Sequence, residues 1–83
     1  MHLEIITPDK TIYDGEVESA TFPGSKGSFQ VLKNHAALIS SLEKGKVIYK
    51  TNSGEQEVLV NGGIVEVLNN NIILLAESVI EAS

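Results

Sequence analysis

Few side chains in this 83-residue chain are equipped for chemistry. It has two histidines, His2 and His35, with no cysteine and no tryptophan. General acid–base work needs two titratable groups in distinct environments, and nucleophilic work needs an activated Ser, Cys or Lys beside an oriented base. His2 stands at the terminus, where a frayed end or a strand edge is its expected place. Neither histidine has an acidic or histidine neighbour at metal-ligating spacing, so no zinc site is expected. The carboxylate pairs Glu16/Glu18 and Glu55/Glu57 fall two apart, on one face of any strand, the common pattern of a solvated outer surface. Gly24-Ser25-Lys26-Gly27 lacks the spacing of a phosphate-binding loop, and Gly45-Lys46 is followed by Val47 where a nucleotide motif wants Ser or Thr. Neither leads into a convincing helix, so the dipole that cradles phosphate is missing too. The residues point to no catalytic group, no cofactor and no metal. What remains is "FPGSKGSFQVLKNHA", Phe22 to Ala36, a turn-rich stretch that either holds a ligand or presents a surface.

The elements around that stretch read as β almost throughout. Leu3–Thr7, Lys46–Thr51, Glu57–Val60, Ile64–Leu68 and Ile72–Ala76 are short, rich in Val and Ile, and bounded by Gly, Asn, Ser or Pro. Asn52-Ser53-Gly54, Asn61-Gly62-Gly63 and Asn69-Asn70-Asn71 supply residues that tolerate positive φ between them. Gly62-Gly63 also reads as a bulge or tight bend where another strand comes close. Ala36–Leu42 is either one helical turn or an edge strand. The spacing predicts an antiparallel sandwich or small barrel. At 83 residues and 42% hydrophobic content the chain is expected to form one domain with one core. Without cysteine it stands on packing alone.

Charge and hydropathy exclude several partners. Net charge is −5, with no lysine cluster beyond Lys44 and Lys46, which disfavours nucleic acid and direct contact with acidic lipid. The start of the chain lacks the basic and apolar regions of a secretory signal. The longest wholly apolar run, Ile72–Ala76, is far short of the ~20 residues a membrane helix needs. Val58-Leu59-Val60, Ile64-Val65 and Ile72-Ile73-Leu74-Leu75 put apolar side chains on both faces of their strands. Either loops cover the second face, or a partner docks on it.

Phe22-Pro23-Gly24, then Gly27, Phe29, Val31-Leu32, Asn34-His35-Ala36, Leu38, Leu42 and Gly45 resemble the "PG..G.FGVLPNHAPL...L..G" signature of the epsilon subunit of F-type ATP synthases, counterpart of the mitochondrial delta subunit. "VNGGIVEVLNNNIILLAES", Val60–Ser78, is similar to that family's "GGFLEV..N.V.VLAD", and "LEIITPDKTIYDGEVE" fits its opening strands. The resemblance implies an all-β fold, an antiparallel β-sandwich of about ten strands in two sheets over residues 1–83. It implies a non-catalytic rotor subunit in the central stalk, clamped between the gamma subunit and the membrane c-ring, at the cytoplasmic face of the inner membrane. The membrane is then touched only through the complex. Rotation driven by protons or sodium ions would pass through it to the catalytic head. Ser28, Phe29, Gln30, Val31, Asn34, His35 and Ala36 would face the ring, with Gly24, Gly27, Gly62 and Gly63 shaping turns. His35 is then a contact or a hydrogen-bonded loop residue, and gamma would dock on a sheet face.

Three departures from the pattern bear on the loop: Gln30 replaces a usual Gly, and Lys33 and Ala37 replace prolines, so the loop loses preset φ angles on either side of Asn34-His35. Relatives commonly continue into a two-helix C-terminal hairpin, whereas this sequence stops at Ser83. The expectation is a naturally short subunit without helical domain or self-inhibition, since a tail from Glu77 to Ser83 would span roughly 10 Å even as a helix. Two rivals belong to other classes. A lipoyl or biotinyl carrier would show its lysine at a hairpin tip, which Asp9-Lys10-Thr11 only half matches. A carbohydrate-binding module needs aromatic platforms, and only Tyr13, Phe22, Phe29 and Tyr49 are available, most of them expected in the core.

Overall fold

The computed structural model describes residues 1–80. Eight strands follow one another: β1 (His2–Ile6), β2 (Thr11–Glu16), β3 (Ser19–Gly24), β4 (Gly27–Leu32), β5 (Leu38–Thr51), β6 (Gly54–Leu68), β7 (Asn71–Ala76) and β8 (Val79–Ile80). Hydrogen bonding runs in the order β2-β1-β7-β6-β5-β3-β4, with β8 attached to β6. β5 and β6 are long enough to serve two layers. Their first and last halves pair as Leu38–Leu42 with Gly63–Val67, and their other halves as Lys44–Thr51 with Gly54–Asn61. One layer is therefore β2-β1-β7 with the second half of β6 and the first half of β5. The other is β8 and the first half of β6 with the second half of β5, then β3 and β4. Counted once in each layer, the two long strands raise eight to ten segments, close to the expected sandwich.

Local chemistry explains the turns. Thr7 closes the β1–β2 turn: its N–H donates to the Lys10 carbonyl at 2.9 Å, and its hydroxyl accepts from the Lys10 N–H at 3.2 Å. Pro8 follows, so the strand ends at Ile6, one residue earlier than predicted. Asn69 and Asn70 both take positive φ, 50° and 63°, in the two-residue connection between Leu68 and Asn71, the type I′ geometry that matches strand twist. Asn61-Gly62-Gly63 is no chain reversal. It lies inside β6, where Gly62 (φ 88°) and Gly63 (φ 150°) turn the strand from one layer into the other. Glu57–Val60 and Ile64–Leu68 are consequently two halves of one strand. The first residues of β5 settle the ambiguity at Ala36–Leu42: Leu38–Leu42 is strand, paired with β6.

Two expectations need correction. The sheet is not wholly antiparallel, because β1 pairs with β7 in parallel. Nearly the whole chain separates these strands, so no hairpin dictates their relative direction. Glu77 onward is not simply a tail after the final strand: Val79 and Ile80 pair with Val60 and Leu59. Residues 81–83 lie outside the described residues.

Alternation builds the core. Leu3, Ile5, Val65, Val67, Ile72 and Leu74 point inward from one layer, and Ala20, Phe22, Val31, Val47, Tyr49 and Val60 from the other, into one cluster. Each fully buried large side chain of this kind stabilises the fold by about 1.5–3 kcal/mol. Tyr13 of β2 reaches across to Tyr49, ring centroids 4.5 Å apart, and Phe22 packs on Phe29 at 5.7 Å. Phe22 and Tyr49 are buried and so cannot form a sugar-stacking platform.

Candidate docking surface

The "FPGSKGSFQVLKNHA" stretch becomes strand, hairpin, strand and loop. Ser25 and Lys26 make the β3–β4 turn between the paired Gly24 and Gly27. Gly24 is required by proximity, since a Cβ there would stand 2.6 Å from the Gly27 carbonyl oxygen and 2.9 Å from the Phe29 ring. Gly27 has a positive φ of 124° and open space around it. Ser28 and Gln30 are exposed along β4, a strand at the end of the hydrogen-bonded order, while Phe29 is half-buried. Val31 is fully buried in the core and offers a partner no side chain. Ser28 and His35 do not share a loop tip: the four-residue step from Ser28 to Leu32 spans roughly 13 Å of strand before the loop begins. These residues form an edge rather than a point.

The loop after β4 is held more firmly than its missing prolines suggest. Leu32 accepts from the His35 N–H at 3.1 Å, and Asn34 at the third position has φ 65°, the type II pattern. Asn34 N–H donates to Asn70 Oδ1 at 2.7 Å, and Asn70 Nδ2 donates to Asn34 Oδ1 at 3.1 Å. This double bond to the β6–β7 turn replaces, with a contact across 36 positions, the restraint that proline would have supplied locally. His35 Nδ1 lies 2.7 Å from the Ala36 carbonyl, so the ring is tied to its own loop. Asn34 and Ala36 are exposed and His35 half-buried.

A second surface covers the outside of the first layer. Ile39, Ile64, Leu68, Ile73 and Leu75 all point outward there, between 37% and 71% exposed. Ile64, Leu68, Ile73 and Leu75 alternate with the buried Val65, Val67, Ile72 and Leu74 along β6 and β7, and Ile39 stands beside them on β5. The loops of the described residues leave this second apolar face open. A groove of about 430 Å³ lies in it, lined by Ala37–Ile39 and Glu66–Leu68.

At the margin of that face the structure assembles a cluster that spacing did not disclose. His2 Nε2 lies 2.6 Å from Asp14 and Nδ1 lies 3.0 Å from Glu16, whose other oxygen takes the Met1 ammonium at 3.3 Å. β1 lies between β2 and β7, so His2 is neither frayed nor at a sheet edge. The β1–β2 register sets His2 opposite Glu16 and Glu4 opposite Asp14, and only a hairpin alignment could have revealed it. Glu18, Glu55 and Glu57 are exposed as expected, with Glu57 3.6 Å from Lys46. Among the described residues no three His, Asp or Glu are placed to hold a metal.

The bond to Glu16, then that to Asp14, raises the His2 pKa above its ordinary 6.5. The same bond to His2, helped by the N-terminal ammonium, lowers Glu16 from 4.5. A raised histidine contributes stability fully below its unfolded value and loses it as pH rises through the folded value; a lowered glutamate contributes above its unfolded value and loses it as pH falls through the folded one. The bridge therefore holds between the lowered Glu16 value and the raised His2 value. An NMR titration of the His2 ring is expected to give a midpoint above 6.5, moved back toward it in Glu16→Gln. A wild-type midpoint at or below 6.5 would reject the bridge.

The family described as "ATP synthase, Delta/Epsilon chain, beta-sandwich domain" matches residues 1–82. The chain belongs to this family. Among its relatives are the ATP synthase epsilon chains of Sulfurimonas denitrificans, 43% identical over 96% of this chain and 62% of the relative, and of Nitratidesulfovibrio vulgaris strain DP4, 42% identical over 94% and 58%. The epsilon chain of Campylobacter jejuni strain RM1221 is 42% identical over 96% of this chain. The chain thus spans about 60% of the length of its curated epsilon-chain relatives. Its fold is shared with a chain in the Euglena gracilis mitochondrial ATP synthase structure of OSCP, F1 and c-ring (TM-score 0.86, 20% identity, 94% of this chain and 51% of that one). A chain in the Tetrahymena thermophila mitochondrial ATP synthase central stalk and c-ring structure is similar as well (TM-score 0.81, 18% identity, 98% and 66%). Family membership sets aside the carrier and carbohydrate-module readings.

Proposed function

We propose that this chain is a non-catalytic rotor subunit of an F-type ATP synthase, seated in the central stalk between the gamma subunit and the c-ring. The observation that carries the reading is the open apolar face of Ile39, Ile64, Leu68, Ile73 and Leu75 on a domain of the delta/epsilon family. Exposed apolar patches of this kind on small domains mark interaction sites. Gamma docks there, and the β4 edge with the Asn34–Ala36 loop meets the ring. Ion flow turns the ring, and the domain passes the torque to gamma without making or breaking a bond. Its close-packed core suits that task, because dense interiors have low compressibility and transmit strain. The complex holds it peripherally at the cytoplasmic face of the membrane. These residues contribute no self-inhibition, so adding the chain to the soluble catalytic complex leaves steady-state ATP hydrolysis unchanged.

Mixing the chain with recombinant gamma subunit at micromolar concentration and separating by size tests the docking, with co-elution expected; separate elution overturns it. For the ring contact, the double variant Ser28→Trp/His35→Ala is expected to shift the unfolding of the isolated chain by no more than about 1.5 kcal/mol, Ser28 being exposed and His35 half-buried with its ring bonded only within its own loop. Ion-coupled ATP synthesis in membranes carrying it should fall. Normal synthesis would remove the ring-facing role from this edge.

A further inference from the structure

The apolar face has one charge at its centre. Glu66 projects outward from β6 between Ile39 of β5 and Ile73 of β7, its direct cross-strand neighbours. The same row continues from Ile73 to Glu4 on β1 and Asp14 on β2. Ile64 and Leu68 flank Glu66 along its own strand and Leu75 sits diagonally beside it, all three about half exposed. The Glu66 carboxylate has no hydrogen-bond or ion-pair partner among the described residues. None of the six lysines stands at an outward position of these rows, and the chain has no arginine.

A carboxylate at the middle of a docking face loses its water when the face is covered. Left unpaired it opposes binding strongly; paired, it becomes a strong selector of partner. From this we infer that the occupant of the face is a protein surface that is apolar and carries a Lys or Arg opposite Glu66. Two strand spacings, roughly 10 Å, separate Glu66 from Glu4, so a second basic group at that distance meets the margin. A second copy of this chain does not fit, since it would set Glu66, Glu4 and Asp14 against the same acids on a molecule of net charge −5. An anionic lipid surface does not fit either, because the face offers it no lysine. Central charges act on dissociation after desolvation, whereas marginal ones act on encounter rate and fade with salt. Glu66 is therefore the specificity anchor, and Glu4, Asp14 and Glu16 steer.

Taking gamma as the occupant rests on the function proposed above. The test is titration calorimetry of the chain against recombinant gamma subunit from the same complex, in low salt and at about 0.5 M salt, where screening shortens to a few ångströms. Glu66→Gln is expected to raise Kd about 10-fold and Glu66→Lys at least about 30-fold, with both effects surviving high salt. Glu16→Gln should change the affinity mainly in low salt. Being exposed, Glu66→Lys leaves the unfolding midpoint of the free chain unchanged, which separates binding from folding. If Glu66→Lys binds gamma as the wild type does, while Leu75→Asp abolishes binding, the anchor is overturned and the docking face stands. A wild-type chain that does not bind gamma overturns both.

Discussion

Gly63→Val is expected to destabilise the chain by more than about 2 kcal/mol, because it combines backbone strain with overpacking at one position. Gly63 has φ 150°, a region that side chains with a Cβ rarely enter. A Cβ there would stand 2.4 Å from the Leu75 carbonyl oxygen and 2.9 Å from Ala76 Cα. Both obstacles are backbone atoms of β7, and Gly63 pairs directly with Ala76, so relief requires opening the β6–β7 ladder. Gly62 is the internal control. Its φ of 88° also carries strain, but the nearest atom to a Cβ is the flexible Glu77 carboxylate at 3.3 Å. Gly62→Ala should therefore cost only the left-handed backbone penalty, about 1–2 kcal/mol. Chemical denaturation measures both. A midpoint for Gly63→Val equal to wild type would mean that the corner of β6 does not depend on this glycine.

That corner marks the boundary of what the linear sequence discloses. Local chemistry was legible: Asn69-Asn70 announces a type I′ turn, Thr7-Pro8 ends a strand, and the Gly62-Gly63 bend follows from the residue type alone. Each depends on two or three neighbours. Features that depend on distant pairing were not legible. The parallel β1–β7 ladder joins strands almost 70 positions apart (His2 with Asn71), and the Asn34–Asn70 bonds join two turns that are nowhere adjacent in sequence. His2 acquires Asp14 and Glu16 only once the hairpin register is known. Val31 sits in a motif that reads as surface, yet β4 turns it inward against the core. For the candidate site the sequence discloses that strands are apolar on both sides; which side is open depends on the layers.

The run Ile72-Ile73-Leu74-Leu75 puts this distinction to experiment, since chemistry is nearly constant along it and only the direction of the side chain changes. Leu74 is fully buried and pairs with Val65 and Ile5, both fully buried themselves. Leu75 is 55% exposed and pairs with the outward Ile64 and with Ile6. Leu74→Ala should cost about 2–5 kcal/mol through lost transfer energy and the cavity left behind. Leu74→Asp should leave no folded protein, because an unpaired carboxylate cannot be hydrated there. Leu75→Asp places the same charge in water, so the chain should stay folded at a cost of no more than about 2 kcal/mol, from the half-buried side chain and the poor fit of Asp in a strand. If gamma docks on this face as proposed, the effect appears instead in binding, with gamma co-elution lost because the acid must be desolvated against an apolar partner. Two results would sink this account: Leu75→Asp unfolding as badly as Leu74→Asp, which would mean the chain itself covers that face, or a folded Leu75→Asp that still binds gamma, which would move the docking surface elsewhere.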